Sequence, residues 1–316
     1  MYKLLILLLS LFSLIHAKDI KPTYILKATG FVSDFIVHQD KLYAATDEGI
    51  IDVFDLNTKK IIHQISLPPS ITPTGEKVRY KIYSVDYFNG KLLFVTSGKE
   101  GYREVWIYEN YELRRIIDEK RKLLIKEARF VDDTKILFGT FGSEMVLFDS
   151  EEGYSVYHQQ QTQSALGDIT LSKDRTQVVM GDESGEVRVL DVKTSNVLHI
   201  YNTENLDNVF HVAIANKTVI TAGQDRRVGV YREGEKPYHL KSDFLVFCVG
   251  ISPSGKTGVY SSGLADDLQL FNTYTKQKGD RLVGHSNVLI QIKFMNETML
   301  FSSASDDKIL FWNTGL

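Results

Sequence analysis

The chain has a single cysteine, Cys248, in 316 residues, so it can form no internal disulfide. That thiol sits in the apolar run Phe244-Leu245-Val246-Phe247-Cys248-Val249. Such a setting makes it a buried core residue rather than a nucleophile. Six prolines and 22 glycines are too few for long linkers or low-complexity tails. An excess of charge is missing too, since 37 Lys and Arg against 40 Asp and Glu leave a net charge of −3. A surface that binds phosphate shows a basic excess, so nucleic acid is not expected as a partner. The eight histidines include no helical pair around a glutamate, and no Cys-x-x-Cys occurs. Zinc is therefore not indicated. There is no Gly-x-Ser-x-Gly elbow and no glycine-rich phosphate loop. We expect no catalytic residue, no metal and no cofactor, and hence not an enzyme.

What is present begins with an address. Lys3 precedes residues 4–15, which are apolar except for Ser10 and Ser13, and His16-Ala17 then leads into Lys18-Asp19. This is the order of regions in a secretory signal peptide. The twelve residues 4–15 are too short to span a bilayer comfortably. Residues 1–17 are expected to be cleaved after Ala17, leaving 18–316 as one soluble exported domain, periplasmic in a bacterium and monomeric.

A repeat runs through the remainder. Short apolar strands ending in Val53-Phe54-Asp55, Ile107-Tyr108-Glu109, Leu147-Phe148-Asp149, Val189-Leu190-Asp191, Val230-Tyr231-Arg232, Leu270-Phe271-Asn272 and Phe311-Trp312-Asn313 have their middle residues 54, 40, 42, 41, 40 and 41 positions apart. A period near 41 is that of a four-stranded propeller blade. The sixth unit shows the internal order. Residues 246–251 read as an inner strand, Ser252-Pro253-Ser254-Gly255-Lys256 as a turn, 257–261 as a second strand, and 268–271 as a third. No segment sustains a 3.6-residue period. The fold class expected is all-β, a seven-bladed β-propeller. The seventh unit ends without an outer strand of its own, so Thr23-Tyr24-Ile25-Leu26-Lys27 is expected to pair with residues 309–312 and close the ring. The surplus in the first gap contains Pro68, Pro69 and Pro73 and is expected to be an exposed loop.

The seventh unit carries Gly284-His285, Ser302-Ser303-Ala304-Ser305-Asp306-Asp307-Lys308 and Phe311-Trp312-Asn313. These residues resemble the WD40-repeat family. The resemblance implies a structural tetrad of His285, Ser303, Asp306 or Asp307, and Trp312. The other units lack Gly-His and replace the tryptophan by Phe, Tyr or Leu, so packing is expected to stiffen them. The basic stretch Arg114-Arg115 to Arg121-Lys122 reads as a solvated outer edge. The acidic pairs Asp132-Asp133, Glu151-Glu152, Asp266-Asp267 and Asp306-Asp307 read as turn formers.

The WD40 resemblance implies a rigid disc that binds protein partners through the loops leading into the inner strands and the second-turn loops. Tyr80, Tyr102, Arg103, Arg129, Phe210, Gln224, Arg226 and Arg227 fall at such positions and are the expected partner-binding face. Arginine and aromatic side chains are the commonest interface anchors. The chain as a whole is also similar to the NapL-like periplasmic WD-repeat accessory proteins associated with periplasmic nitrate reductase. That similarity implies partners within the nitrate-reducing electron-transfer system. A propeller enzyme of the quinone-dependent dehydrogenase or lactonase type is the alternative. Against it stand only two tryptophans and no convergent set of acids or histidines. An outer-membrane assembly propeller is a further alternative, disfavoured by a count of seven units.

Overall fold

A computed structural model describes residues 17–71, 75–263 and 266–315. The expected segment 1–17 lies, up to residue 16, outside the described residues. Every unit has the same plan. In the first, Val32–His38, Lys41–Thr46, Ile50–Asp55 and Lys60–Ser66 form an antiparallel four-stranded sheet in sequence order. The inner strands of the other blades are Ile82–Phe88, Ile125–Phe130, Leu166–Leu171, Val209–Ala215, Val249–Ile251 and Leu289–Phe294. The seven blades are thus as expected, with strands Thr257–Ser262 and Asp267–Asn272 in the sixth falling where the sequence placed them.

The middle strands of each blade are buried on both faces, which is why they read as continuous apolar runs such as Ile136, Leu137 and Phe138. Each hydrophobic cluster lies between neighbouring sheets: Val95, Val105 and Ile107 of the second blade pack on Ala128, Phe130 and Phe138 of the third. The outer strands alternate or face solvent, as Tyr154–Gln160 does.

The seam closes as expected. Tyr24–Lys27 pairs antiparallel with Lys308–Asn313, setting Tyr24 opposite Phe311 and Leu26 opposite Ile309. Leu26 is fully buried, and Tyr24 stacks on Phe311 with ring centroids 4.5 Å apart. The strap also begins earlier than the sequence suggested. Asp19–Ile20 pairs parallel with the outer strand Lys278–Leu282 of the sixth blade, and Asp19 takes Arg281 as ion partner at 3.0 Å. One segment therefore covers the outer edges of the last two blades before it enters the first. Thr29, just beyond it, donates from its backbone N (2.7 Å) and hydroxyl (2.9 Å) to the buried Asp52.

The proline-rich surplus between blades one and two is more ordered than the loop expected. Ser70–Ile71 pairs with Lys77–Val78 as a small hairpin, and Arg79 at its base holds Glu48 of the first blade.

Closure can be tested through its one buried side chain. Leu26→Ala removes a core side chain and is expected to cost about 2–5 kcal/mol in urea unfolding. Ile25→Ala, exposed on the same strand, is expected to change stability by no more than about 0.5 kcal/mol.

Candidate functional site

The seventh blade has a polar brace, but its hub is Ser302. The Ser302 hydroxyl accepts from Trp312 Nε1 at 2.8 Å and lies 2.7 Å from His285 Nε2. Ser303, the serine the resemblance pointed to, faces the other side of the strand, and its buried Oγ has no partner. Asp306 does not complete a tetrad. It accepts from Lys308 N at 2.9 Å and Asn287 Nδ2 at 3.1 Å, while His285 Nδ1 is left without a partner. Asp306 therefore shapes the turn. Packing is not the only stiffener elsewhere. In the fifth blade Thr221 and Tyr231 occupy the registers of Ser302 and Trp312. Asn205 Oδ1 accepts from the Thr221 hydroxyl at 2.6 Å and the Tyr231 hydroxyl at 3.1 Å.

Around the axis the inner strands share a second device. Each of six breaks register at its second residue, as between Val32 and Asp34 or between Leu166 and Asp168. A bulge re-aims the side chains beside it. The bulged positions and their equivalents, including Ser33, Tyr83, Lys126, Gly167, Phe210 and Ile290, line a cavity of about 270 Å³ at the upper mouth of the channel. At Gly167 any Cβ would lie 1.8 Å from Val209 O, so only glycine admits this approach.

The residues after the bulges reach across to the next blade. Asp34 accepts from Val85 N (2.8 Å), Asp168 from Val212 N (2.8 Å), and Gln291 from Phe35 N (3.1 Å). Asp86, two positions further along its own strand, accepts from Phe130 N (2.8 Å) and pairs with Arg175 (2.7 Å). Arg129 crosses the centre of this layer. It donates to Ser84 Oγ at 2.5 Å and to Glu127 at 2.7 Å, with Asp34 3.7 Å away. Burial opposes its charge, yet the carboxylates of Glu127, Asp34, Asp86 and Asp168 outweigh that and hold the guanidinium above its ordinary value. Burial, helped by Asp168, pushes Glu127 up to about 8. Burial, helped by Lys293, pulls His211 down to about 4. Arg129, Asp168, His211 and Gln291 line this upper cavity and also a lower one of about 170 Å³, so they form the floor between the two.

The expected partner-binding residues divide into three groups. Arg103 lies over the Tyr83 ring at 4.0 Å and near Phe141 at 5.6 Å, beside Tyr102 at the upper mouth. Phe210 of the fifth blade stacks on Phe247 of the neighbouring sixth at 5.8 Å. Gln224 and Arg226 are exposed at the tip of a turn of the fifth blade, with Arg226 at φ 64°. Tyr80 is half-buried, edge-on to Trp106 at 6.5 Å. Arg227 turns inward to Glu204 O at 3.0 Å and Asp225 at 3.6 Å. Arg129 is the clearest departure: it sits two residues beyond Glu127 on the inner strand and fills the channel, only 12% exposed. Sequence reasoning missed Tyr83, Lys126, Phe141 and Phe247, although the recurring offset from each bulge marks three of them. The basic stretch of the second blade is not simply solvated. Arg114 donates to Ser150 O (2.9 Å) and Arg121 to Gly153 O (2.7 Å), both on the third blade.

No family model matches the chain, and no curated protein matches it. Solved structures do. The chain is similar to one in the crystal structure of the Mitotic Checkpoint Complex, with 14% identity, a TM-score of 0.74, and 94% of this chain and 92% of that one covered. It is also similar to the β-propeller domain of Cps50 (Swd1) from Myceliophteria thermophila, with 13% identity, a TM-score of 0.73, and 92% and 98% covered. At such identities the likeness is one of fold: a seven-bladed propeller of the WD40 kind. Nothing among these comparisons supports the NapL-like resemblance.

Two measurements check this geometry. Ser302→Ala strips both the indole and the imidazole of their partner and is expected to cost about 1–3 kcal/mol. Ser303→Ala, which removes an unpaired buried hydroxyl, should be neutral or stabilising; urea unfolding compares the two. The second measurement is stability against pH. Between the ordinary glutamate range and about 8 the folded chain keeps a proton on Glu127 that the unfolded chain has lost, so stability falls as pH rises there. His211 and His285, both lowered to about 4 chiefly by burial, act oppositely. As pH drops from about 6.5 the unfolded chain takes up protons that the folded chain does not, and stability falls. With two histidines against the glutamate, stability is expected to peak near pH 6.5 and decline by about 1 kcal/mol by pH 8. Glu127→Gln should remove most of that alkaline decline.

Proposed function

We propose that this protein is an exported, non-catalytic platform that binds a protein partner on its upper face, around the mouth of the channel. The observation that carries this reading is where the exposed apolar side chains lie. Loops leading into inner strands and second-turn loops share one end of every blade, because successive strands run antiparallel. Phe31 (59% exposed), Leu124 (47%), Phe141 (39%), Leu206 (64%) and Val288 (44%) all sit in those loops, on four different blades. With Arg103, Arg226 and Phe210 they ring the mouth. Contiguous apolar surface rimmed by polar groups is how interaction sites present themselves, and aromatic and arginine anchors dominate binding energy. The opposite face offers only scattered apolar side chains such as Tyr274 and Met295.

Export has its own support. Lys18 N lies 2.8 Å from Asp280 Oδ1 at an exposed position. Cleavage after Ala17 would turn that amide into an α-ammonium already seated on a carboxylate, a stronger, charge-assisted contact. The resemblance to NapL-like accessory proteins makes components of a periplasmic nitrate reductase system the first partners to try.

The experiment places a photo-crosslinking residue at Phe31, Phe141 or Leu206, and in control chains at Tyr274 or Met295, in cells of the native host. The reading requires one discrete protein adduct from the upper positions, absent from the controls and weakened by Arg103→Glu. The envelope fraction, sequenced from its N-terminus, should start at Lys18. Adducts from both faces alike, or intact chain in the cytosol, would overturn the platform or the export reading respectively.

A further inference from the structure

The lower half of the channel poses a separate question. The inner-strand position two beyond the inter-blade contacts is held by Ile36, Asp86, Arg129, Thr170, Ala213, Gly250 and Lys293 around the ring. On blades one to three they are Ile, Asp and Arg, and Arg175 reaches in to Asp86, so this sector is filled. On blades four to six they are Thr, Ala and Gly. At Gly250 a Cβ would come within 2.7 Å of Ile292, so this wall holds no more side chain. The result is the lower cavity of about 170 Å³. A cavity of about 150 Å³ is known to hold a six-carbon ring, so the space suits a molecule of that size.

Charge within it is unbalanced. Asp168 and Arg129 close the inner end with opposite signs. Asp168 is committed to Val212 N, and Arg129 to Glu127 and Ser84. Arg175, at the same end of the channel, pairs with Asp86. Lys126, above, donates to Leu166 O and Gly167 O. Lys293 also lines the cavity, and among the described residues its ammonium makes no hydrogen bond and no ion pair. Lys293 is half-buried, so its ammonium has no protein counter-charge yet is open to an anion that enters the cavity. Neutral donors stand around it. Thr170 lines the cavity. Gln291 uses its oxygen on Phe35 N, which leaves its amide N–H groups free. His211 has a buried Nδ1 without a partner. The rest of the wall, Ala213, Ile214, Ile251 and Phe294, is apolar.

We infer that the lower channel is a binding site for a small aliphatic monocarboxylate, its head group on Lys293 and its tail against Ile214 and Ile251. A cation would meet Lys293 with the wrong sign. A polyanion would leave charge uncompensated among the apolar side chains. A single carboxylate with about four to six carbons meets both the lone ammonium and the volume. Because the site lies beneath the floor of Arg129, Asp168, His211 and Gln291, it does not depend on the upper face binding a protein.

Butyrate is the probe. Calorimetric titration at pH 7 is expected to show saturable binding to the full exported chain. Butyramide and butylammonium, the neutral and cationic analogues, should bind at least about ten-fold more weakly. Lys293→Met should lose butyrate by a similar factor while retaining the parent melting temperature. Ala213→Leu, which fills the cavity without touching charge, should abolish binding. If Lys293→Met does not fold, the comparison of butyrate with butyramide on the parent chain decides. No saturable binding of butyrate, equal binding of the amide, or full affinity in Lys293→Met would each overturn the proposal.

Discussion

A ring of sheets has one weak place, the seam where its ends meet, and the rest of this molecule depends on how that seam is held. Each blade buries its middle strands only because a neighbour packs on both sides of it. If the seventh blade lost its outer strand, Ile309 and Phe311 would face an open edge, and the cluster they share with Val32, Phe35 and Phe54 of the first blade would lose one side. The strand Tyr24–Lys27 prevents this with backbone pairing and one fully buried side chain. The same chain then enters the first blade, so opening the seam and unfolding that blade are one event. The continuing contacts, Ala28 N to Asp307 O at 2.8 Å and Val32 N to Asp306 O at 2.9 Å, extend the seam into the turn shaped by Asp306. That turn thus serves closure as well as its own hairpin.

Closure at the rim brings the inner strands together at the axis, where there is not room for a full side chain from every blade. The chain resolves the crowding unevenly. Arg129 fills the centre and takes its partners from the first three blades, while the fourth to sixth contribute Thr170, Ala213 and Gly250. A buried guanidinium is tolerable only when carboxylates surround it with good geometry. Asp34 and Asp86 are held for this by backbone N–H groups of the neighbouring blades. The carboxylates therefore act twice, once as clasps between sheets and once as counter-charge. The asymmetry of the channel follows from the position of one large cation.

The period, the number of blades and the closing strand were legible because they depend on local chemistry: apolar alternation, turn residues at fixed intervals and a missing last strand. The sites were harder for a reason that residues 302 and 303 make plain. Two adjacent serines on a strand point to opposite faces, and a motif does not say which phase the strand takes. Register does: Ser302 pairs with Leu310, two residues from Trp312 and therefore on the same face. Arg129 was misplaced for a similar reason. It lies near enough to a loop in sequence to look like surface, but it is two residues past Glu127, the first residue after the bulge, and points to the axis. The polar residues Asp34, Glu127, Asp168, His211 and Gln291 recur at one offset in the inner strands. They can be seen as a ring only after the seven units are set in register.

The fifth blade shows why a motif search undercounts such braces. Its Asn205, Thr221 and Tyr231 share no letter with His285, Ser302 and Trp312, yet they occupy equivalent positions and satisfy the same requirement. Both sets join a polar group from the loop before the inner strand to a hydroxyl on the second strand and an aromatic donor on the third. What the blade needs is a hydroxyl small enough to sit between two sheet layers and a long aromatic on the next strand whose donor reaches either that hydroxyl, as Trp312 does, or the loop group bound to it, as Tyr231 does. Threonine can replace serine there, and a tyrosine hydroxyl can replace an indole N–H, because each carries its donor on a flat ring that also packs. Where neither pair is available, as in the first blade, the buried Asp52 takes Thr29 and Gln64 as partners instead, at 2.7 Å from the backbone N of one and the amide of the other. The degenerate repeats therefore keep a polar anchor in at least three blades, with its chemistry chosen separately in each.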